Sequence, residues 1–460
     1  MPDPIHVGRQ RLATNITASE KSESAAASRQ RSARIQQWLP FVIAVASAAI
    51  VYLRTPSAAR GVIWAEDGRN FMVDHLVNGY GGVFEPYQGY LHVVPRLLAG
   101  VVVDLVAPEQ VAHGMTVAAA LVIGAVSGAL VWYAAMATER IWIRALIGLV
   151  PALVPTGPLE MAGNLANLHW YFLLLGFWMF LAVPRNWVTS WIAAVAVLLM
   201  TLSEPQLLIA LPLFIRSIRE RRTWPVASAA VIGIGAQLVI SAVFPRQLYT
   251  GGAKLDLSDI VIGYLFEPFA GSFWWDTTRV ARRVELVGPW LIVLGFALVA
   301  AFVVLAFVAG GRVNRWLIAG HILGSACIWA AALLLNPAES FQFSFDIAVF
   351  VDNFRTWRYV GVSSMLALVG LIVAADALLS GPRMKYLGFV AVAVVSASLL
   401  VNSAAIDPAR VPRVGGANWP AEVDRAATEC GRAPADDVRV NTFPRHWEVR
   451  VPCDWVAPPR

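Results

Sequence analysis

The sequence predicts an all-α membrane protein: a polytopic transmembrane bundle of about eleven spans, with juxtamembrane helices in its first external loop and a small external C-terminal segment. Two observations carry that fold class. Only 14% of the 460 residues are charged while 58% are hydrophobic, and the mean hydropathy is +0.61, a balance foreign to soluble domains of this length. The apolar residues also recur in stretches near the ~20 residues that a helix needs to cross a ~30 Å hydrocarbon core, separated by short polar breaks. The net charge of +6 does not indicate nucleic acid as a partner, because the Lys and Arg residues fall in short clusters between apolar spans, where they set topology.

In chain order, residues 1–37 are polar, rich in Ser and Ala, and carry Arg9, Arg11, Lys21, Arg29, Arg31 and Arg34. They read as a disordered cytoplasmic tail. Residues 38–402 form the transmembrane domain and 403–460 the external segment. The first span covers 38–54. The region from Trp64 to Gly89 and a Pro-broken apolar stretch, Tyr90 to Val106, follow, the latter predicted as a helix lying in the interface. Further spans are expected near 111–136, 141–156, 166–183, 187–203, 206–217, 224–244, 287–309, 316–335, 357–379 and 384–402. Those at 141–156 and 206–217 are short and contain proline, which points to tilted, broken or re-entrant helices.

Orientation comes from the basic loops. With the N-terminus cytoplasmic, Arg140, Arg185, Arg216 to Arg222, Arg312 to Arg315 and Arg383 to Lys385 share the cytoplasmic face, as the Lys/Arg bias of plasma (inner) membrane proteins requires. The opposite face receives Glu66, Asp67, Asp74, Glu160, Glu204, Asp256, Asp259, Glu267, Glu339, Asp346 and Asp352. An odd number of spans leaves the C-terminus external, where Cys430 and Cys453 are free to form a disulfide. Cys327, inside a span, reads as a small packing residue.

The segment Trp64-Ala65-Glu66-Asp67-Gly68-Arg69-Asn70-Phe71 sits directly after the first span. An acidic pair at the mouth of a membrane-embedded cavity has its pKa raised by burial and is available as a base. This acidic first loop, its juxtamembrane helix, the many spans and the external C-terminal segment resemble the GT-C superfamily of integral-membrane glycosyltransferases. The resemblance implies transfer of a sugar, with inversion, from a polyprenyl-phosphate donor to an envelope glycan, lipid or protein acceptor. The motif itself spans only a few residues, although the layout covers most of the chain.

Such a transfer needs a base, donors for the departing phosphate and a lipid-accessible groove. Asp67 is the expected base with Glu66 as helper; the alternative is that Asp67 caps the helix beginning at Gly68. For the donor phosphate, His92 and Arg96 lie four residues apart on one helix face, and Arg355, Arg358 and Tyr359 stand at the outer mouth of the span beginning near 357, where the superfamily often places an Arg-Tyr pair. The alternative for these arginines is ordinary anchoring to lipid headgroups. Asn164, Asn167, His169 and Trp170 enter an apolar span together and suit a sugar-binding wall. Glu204 would cost about 2.5–3.5 kcal/mol if it faced lipid, so it faces a polar cavity or outer water. The loop from 245 to 286, with Trp274, Trp275 and Asp276, reads as an acceptor platform or as a plain external loop. No metal ligands are assigned, since no His or Cys pair has zinc spacing; a divalent cation, Mg or Mn, is the one cofactor left open. A transporter or flippase of lipid-linked substrates is the rival reading, but it should carry charges near mid-membrane and repeated halves. An envelope polymerase or ligase, and a non-catalytic assembly factor, are the remaining alternatives.

Overall fold

The computed structural model describes residues 35–246, 255–337, 342, 357–432 and 436–457. Arg355, most of the predicted N-terminal tail and parts of the 245–286 loop lie outside the described residues. Eight of the described helices are long and apolar enough to cross a membrane. They comprise α1 (Ile35–Arg54), α3 (Val111–Ala134), α4 (Ile141–Leu153, continued by a short turn to Glu160), α7 (Trp224–Val243), α10 (Trp290–Ala309), α11 (Arg312–Leu335), α12 (Trp357–Leu379) and α13 (Lys385–Ala405). The juxtamembrane stretch forms α2 (Val93–Leu105), and the loop after α7 carries α8 (Leu257–Tyr264) and α9 (Thr277–Val287).

Three of the expected spans coincide with shorter apolar helices: α5 (Leu168–Leu181), α6 (Trp187–Thr201) and a 3-10 helix, Pro205–Arg216. All 14 residues of α5 are buried, so its uniform hydrophobicity reflects burial inside protein and not contact with lipid. The 3-10 segment begins at Pro205 and contains Pro212, and proline removes the donors that an α-helix would use. Rising about 2.0 Å per residue in place of 1.5 Å, its 12 residues extend further than an α-helix of equal length.

Consecutive apolar helices, the short ones included, run between two ends of the bundle. At one end, the Arg54 guanidinium donates to the Ala152 carbonyl at 2.6 Å, Gln237 binds the carbonyls of Leu91 and Thr201, and Asn402 accepts from the Trp275 amide. At the other, Arg216 donates to the Leu181 carbonyl at 3.1 Å and Ser190 donates to the Arg222 carbonyl. The most interior helix is α12, 94% buried over its apolar window. It is pinned to α4 at both ends, by Arg358 with Glu160 at 3.3 Å and by Asp376 with Arg140 at 2.8 Å. By contrast α1 lies on the outside and packs closely on α3 through Gly124 and Gly128: a Cβ at Gly128 would meet the Pro40 carbonyl oxygen at 2.6 Å, and one at Gly124 would collide with that of Ala44. Small residues four apart permit this approach where no hydrophobic effect drives helices together. Cys327 is exposed on α11, which corrects its expected role in packing.

The C-terminal segment folds back onto the first loop. Its helix α14 (Trp419–Arg432) and an antiparallel pair, β1 (Asp437–Val440) and β2 (Val449–Pro452), are joined by the Cys430–Cys453 disulfide. Trp419 is fully buried, with its backbone N–H on the Gly61 carbonyl at 2.8 Å and its indole N–H on that of Pro108 at 2.7 Å. Phe443 exchanges backbone hydrogen bonds with Ile63 and Ala65, which fixes the segment leading into the acidic pair.

Candidate functional site

The loops at the first end meet around Glu66 and Asp67. A π-helical turn, Asp67–Met72, begins at the second of the pair, and Gly68 is tightly packed there, since a Cβ would lie 2.7 Å from the Ile63 side chain. Asp67 is 1% exposed. Its Oδ2 accepts the Leu165 N–H at 2.9 Å and its Oδ1 the Ala166 N–H at 2.7 Å. The helix cap that was the alternative reading of Asp67 is therefore absent; the carboxylate crosses to the loop before α5 instead. Burial pushes its pKa up to about 7, against the pull of the two amides and of Arg413, with Glu66 adding a further push. Arg413, itself buried, donates to the Gly163 carbonyl at 2.5 Å, and burial brings its guanidinium down to about 10, still charged at neutral pH.

Glu66 has the opposite environment. It is half-buried, and its Oε2 is enclosed without a hydrogen-bond partner among the described residues. Its charge acts on Tyr87, Glu160 and Arg358 as well as on Asp67. Arg358 binds Glu160 twice, through its guanidinium and through its backbone N–H at 3.1 Å, and lies over the Tyr359 ring at 5.2 Å. Arg358 is thus paired with Glu160 and also acted on by the charge of Glu66.

An aromatic and histidine wall completes the cluster. His169 Nδ1 bonds to Glu204 Oε2, and the other Glu204 oxygen accepts the Gln206 N–H at 2.7 Å, capping the 3-10 helix. The His92 ring sits 4.1 Å from that of Tyr90 and 5.9 Å from that of His169; Trp170 meets His169 at 4.2 Å and Tyr359 at 5.7 Å. His92 is 3% exposed, and neither of its nitrogens has a partner among the described residues. Burial first, then the charges of His169 and Arg96, hold its pKa well below the ordinary value. Only a backbone contact with Tyr87 pulls the other way, so it is a neutral imidazole at physiological pH, a ring that can both donate and accept. Burial likewise raises Tyr90 well above its usual range, reinforced by Glu204 and Tyr359.

Comparison of the chain with protein-family models, with curated proteins and with solved structures finds no match. The chemistry of the site therefore rests on its own geometry.

That geometry sorts the residues singled out in the sequence. Glu66, His92, His169, Trp170, Glu204, Arg358 and Tyr359 come together. Arg96 is close behind His92, but its guanidinium is engaged by Asp74 at 2.6 Å and by the Gly82 carbonyl, over the Phe71 ring. The guanidinium expected to bind phosphate is thus paired with a residue 22 positions earlier. The Asn164 and Asn167 amides both donate to the Glu160 carbonyl, and their side-chain oxygens accept from the Asn167 backbone and the Trp170 indole. They close the turn before α5 and position Trp170, in place of the sugar contact expected of them. Glu160, Tyr87, Tyr90 and Arg413 were not singled out. Glu160 stood at the edge of a recognised polar cluster, whereas Arg413 lies in a segment with no periodic or motif signal. Among the described residues no group of three His, Cys, Asp or Glu side chains is gathered to hold a metal ion.

Proposed function

We propose that this chain is a multi-pass membrane glycosyltransferase that moves a sugar from a polyprenyl-phosphate donor to an envelope acceptor, with inversion, at the end of the bundle carrying Glu66 and Arg358. In this reading all eleven apolar helices cross the membrane, the N-terminus is cytoplasmic, and the C-terminal segment is external. The alternation of helix ends and the gathering of Arg140, Arg185, Arg216 and Arg222 at the opposite end support that topology.

The observation that carries the reaction is the enclosed, unpartnered Glu66 Oε2, on a carboxylate whose charge acts on Arg358. Glu66 takes the proton of the acceptor hydroxyl as its oxygen attacks the anomeric carbon. The bond from that carbon to the phosphate oxygen breaks with its electron pair, and the polyprenyl phosphate leaves onto Arg358, assisted by Tyr359. Tyr87, Tyr90 and Trp170 offer faces for the sugar ring, and His92 a donor and an acceptor for its hydroxyls. Asp67 is the positioning residue: both its oxygens hold backbone amides, so it fixes the loop that presents Glu66. This order reverses the roles expected from the sequence, because a base needs a free lone pair directed at the substrate.

Transfer from a labelled polyprenyl-phosphate sugar in membrane vesicles, at matched protein level, tests the reading. Glu66→Gln should lower the rate by about 10²–10⁴, the usual cost of losing a general base. Near wild-type transfer by Glu66→Gln together with loss in Asp67→Asn returns the base to Asp67. Near wild-type transfer by both removes the acidic-pair mechanism and brings the transporter reading forward.

A further inference from the structure

The end of the bundle remote from Glu66 holds a second built site. The ends of α3, α5, α6, α7 and the 3-10 helix surround a cavity of about 320 Å³, lined by Trp132, Tyr133, Met179, Arg185 and Arg216 among others. This lies within the ~300–1,000 Å³ range in which small ligands seat. Its wall is apolar on the bundle side and cationic at the rim. Arg185 lies over the Trp132 ring at 4.6 Å, and Arg222 donates to the Arg185 carbonyl, which brings another guanidinium to the same rim. Arg144 feels the charge of Arg185, and Arg216 that of Arg312.

These like charges have little opposing them. Glu139 acts on Arg144 and Glu220 is exposed nearby in sequence, yet no ion pair among the described residues involves Arg144, Arg185, Arg216, Arg222 or Arg312. Clustered guanidinium groups repel one another until an anion sits between them, and a phosphodiester is the anion whose geometry they match. Depth decides what carries it. Trp132, Trp187 and Trp224 are exposed around the rim, as tryptophans are at the headgroup level of a bilayer. A neighbouring cavity of about 590 Å³ repeats the pattern with Arg312, Arg315 and Trp316 beside Phe307.

We propose that the cavity between Trp132, Arg185 and Arg216 binds the phosphodiester headgroup of an anionic glycerophospholipid, with its acyl chains along the exposed apolar faces of α6 and α7. Basic pockets between membrane helices on the cytoplasmic side take such headgroups. The site is separate from the acidic cluster and holds whether or not that cluster transfers sugars.

The test counts lipids retained by the purified full-length protein in mild detergent, using native mass spectrometry. Phosphatidylglycerol should be retained in preference to phosphatidylcholine. Arg185→Gln should weaken that retention by about ten-fold, the effect of one charge-assisted hydrogen bond. Because the Arg216 guanidinium also holds the Leu181 carbonyl, Arg216→Lys is the second variant; it keeps the charge and should lose less than Arg185→Gln. Equal retention of the two lipids, or unchanged retention by Arg185→Gln, overturns the proposal. Displacement of phosphatidylglycerol by millimolar inorganic phosphate overturns it also, by assigning the site to a soluble anion.

Discussion

Two adjacent carboxylates divide their labour by what surrounds them. Asp67 is enclosed and held by two amides, while Glu66 keeps an oxygen free. The pH dependence of Asp67 follows from its pKa of about 7, against an ordinary value of 3.8. A carboxyl raised in the fold favours its neutral form, so its contribution to stability is complete below about pH 4 and is lost as pH rises through about 7. Asp67→Asn does not titrate, and its amide group turns a donor toward one of the two backbone N–H groups, leaving a buried donor unpaired at a cost of about 1–3 kcal/mol. The variant's deficit in melting temperature should therefore be widest near pH 4 and narrow toward pH 7; a deficit that is constant or widens would contradict the assignment. In the transfer assay, a rising limb with an apparent pKa of about 7 in the wild type that disappears in Asp67→Asn would point to Asp67 as base. The acidic pair was legible in the sequence because an acidic dipeptide directly after an apolar span is conspicuous. The pairing of Arg96 with Asp74 was not, because helical spacing relates residues within one helix and Asp74 belongs to another segment.

Helices in this chain are specified by hydropathy where they are long and by context where they are short. The eight long spans follow from length and composition alone. The length of α5 does not, because total burial relieves a segment of matching the bilayer by itself, nor does that of the Pro205–Arg216 helix, whose 3-10 winding accompanies its prolines. Nor does hydropathy show which faces touch: Gly124 and Gly128 are two apolar positions among many in α3, and only the approach of α1 gives them meaning. Gly128→Leu should force α1 away from α3 and cost about 1–3 kcal/mol, as overpacking does. The check is a thermal melt in detergent, paired with Gly235→Leu on α7, where a Cβ meets nothing and the melting temperature should stay close to that of wild type.

At the scale of the whole molecule, the C-terminal segment completes the site from the far end of the chain, since Arg413 acts on Asp67 and Trp419 closes over Gly61 and Pro108. Trp419→Ala removes a fully buried indole, a change that costs about 3–5 kcal/mol in a core. It should release the segment to protease on the external side and lower transfer, while the bundle itself stays folded. Protection of the segment equal to wild type would show that it docks by other contacts. Reporter fusions at Arg219 and Val440 check the assignment of sides, with the first expected in the cytoplasm and the second outside. The Arg140–Asp376 and Glu160–Arg358 pairs clasp α4 and α12 together at both rims, and their spacing works as a caliper. The 18 residues from Arg358 to Asp376 rise by about 27 Å in an α-helix, close to the ~30 Å of a hydrocarbon core. Sliding one helix past the other by a turn would break both clasps at once, so the acidic rim and the basic rim keep a set separation for as long as both pairs hold.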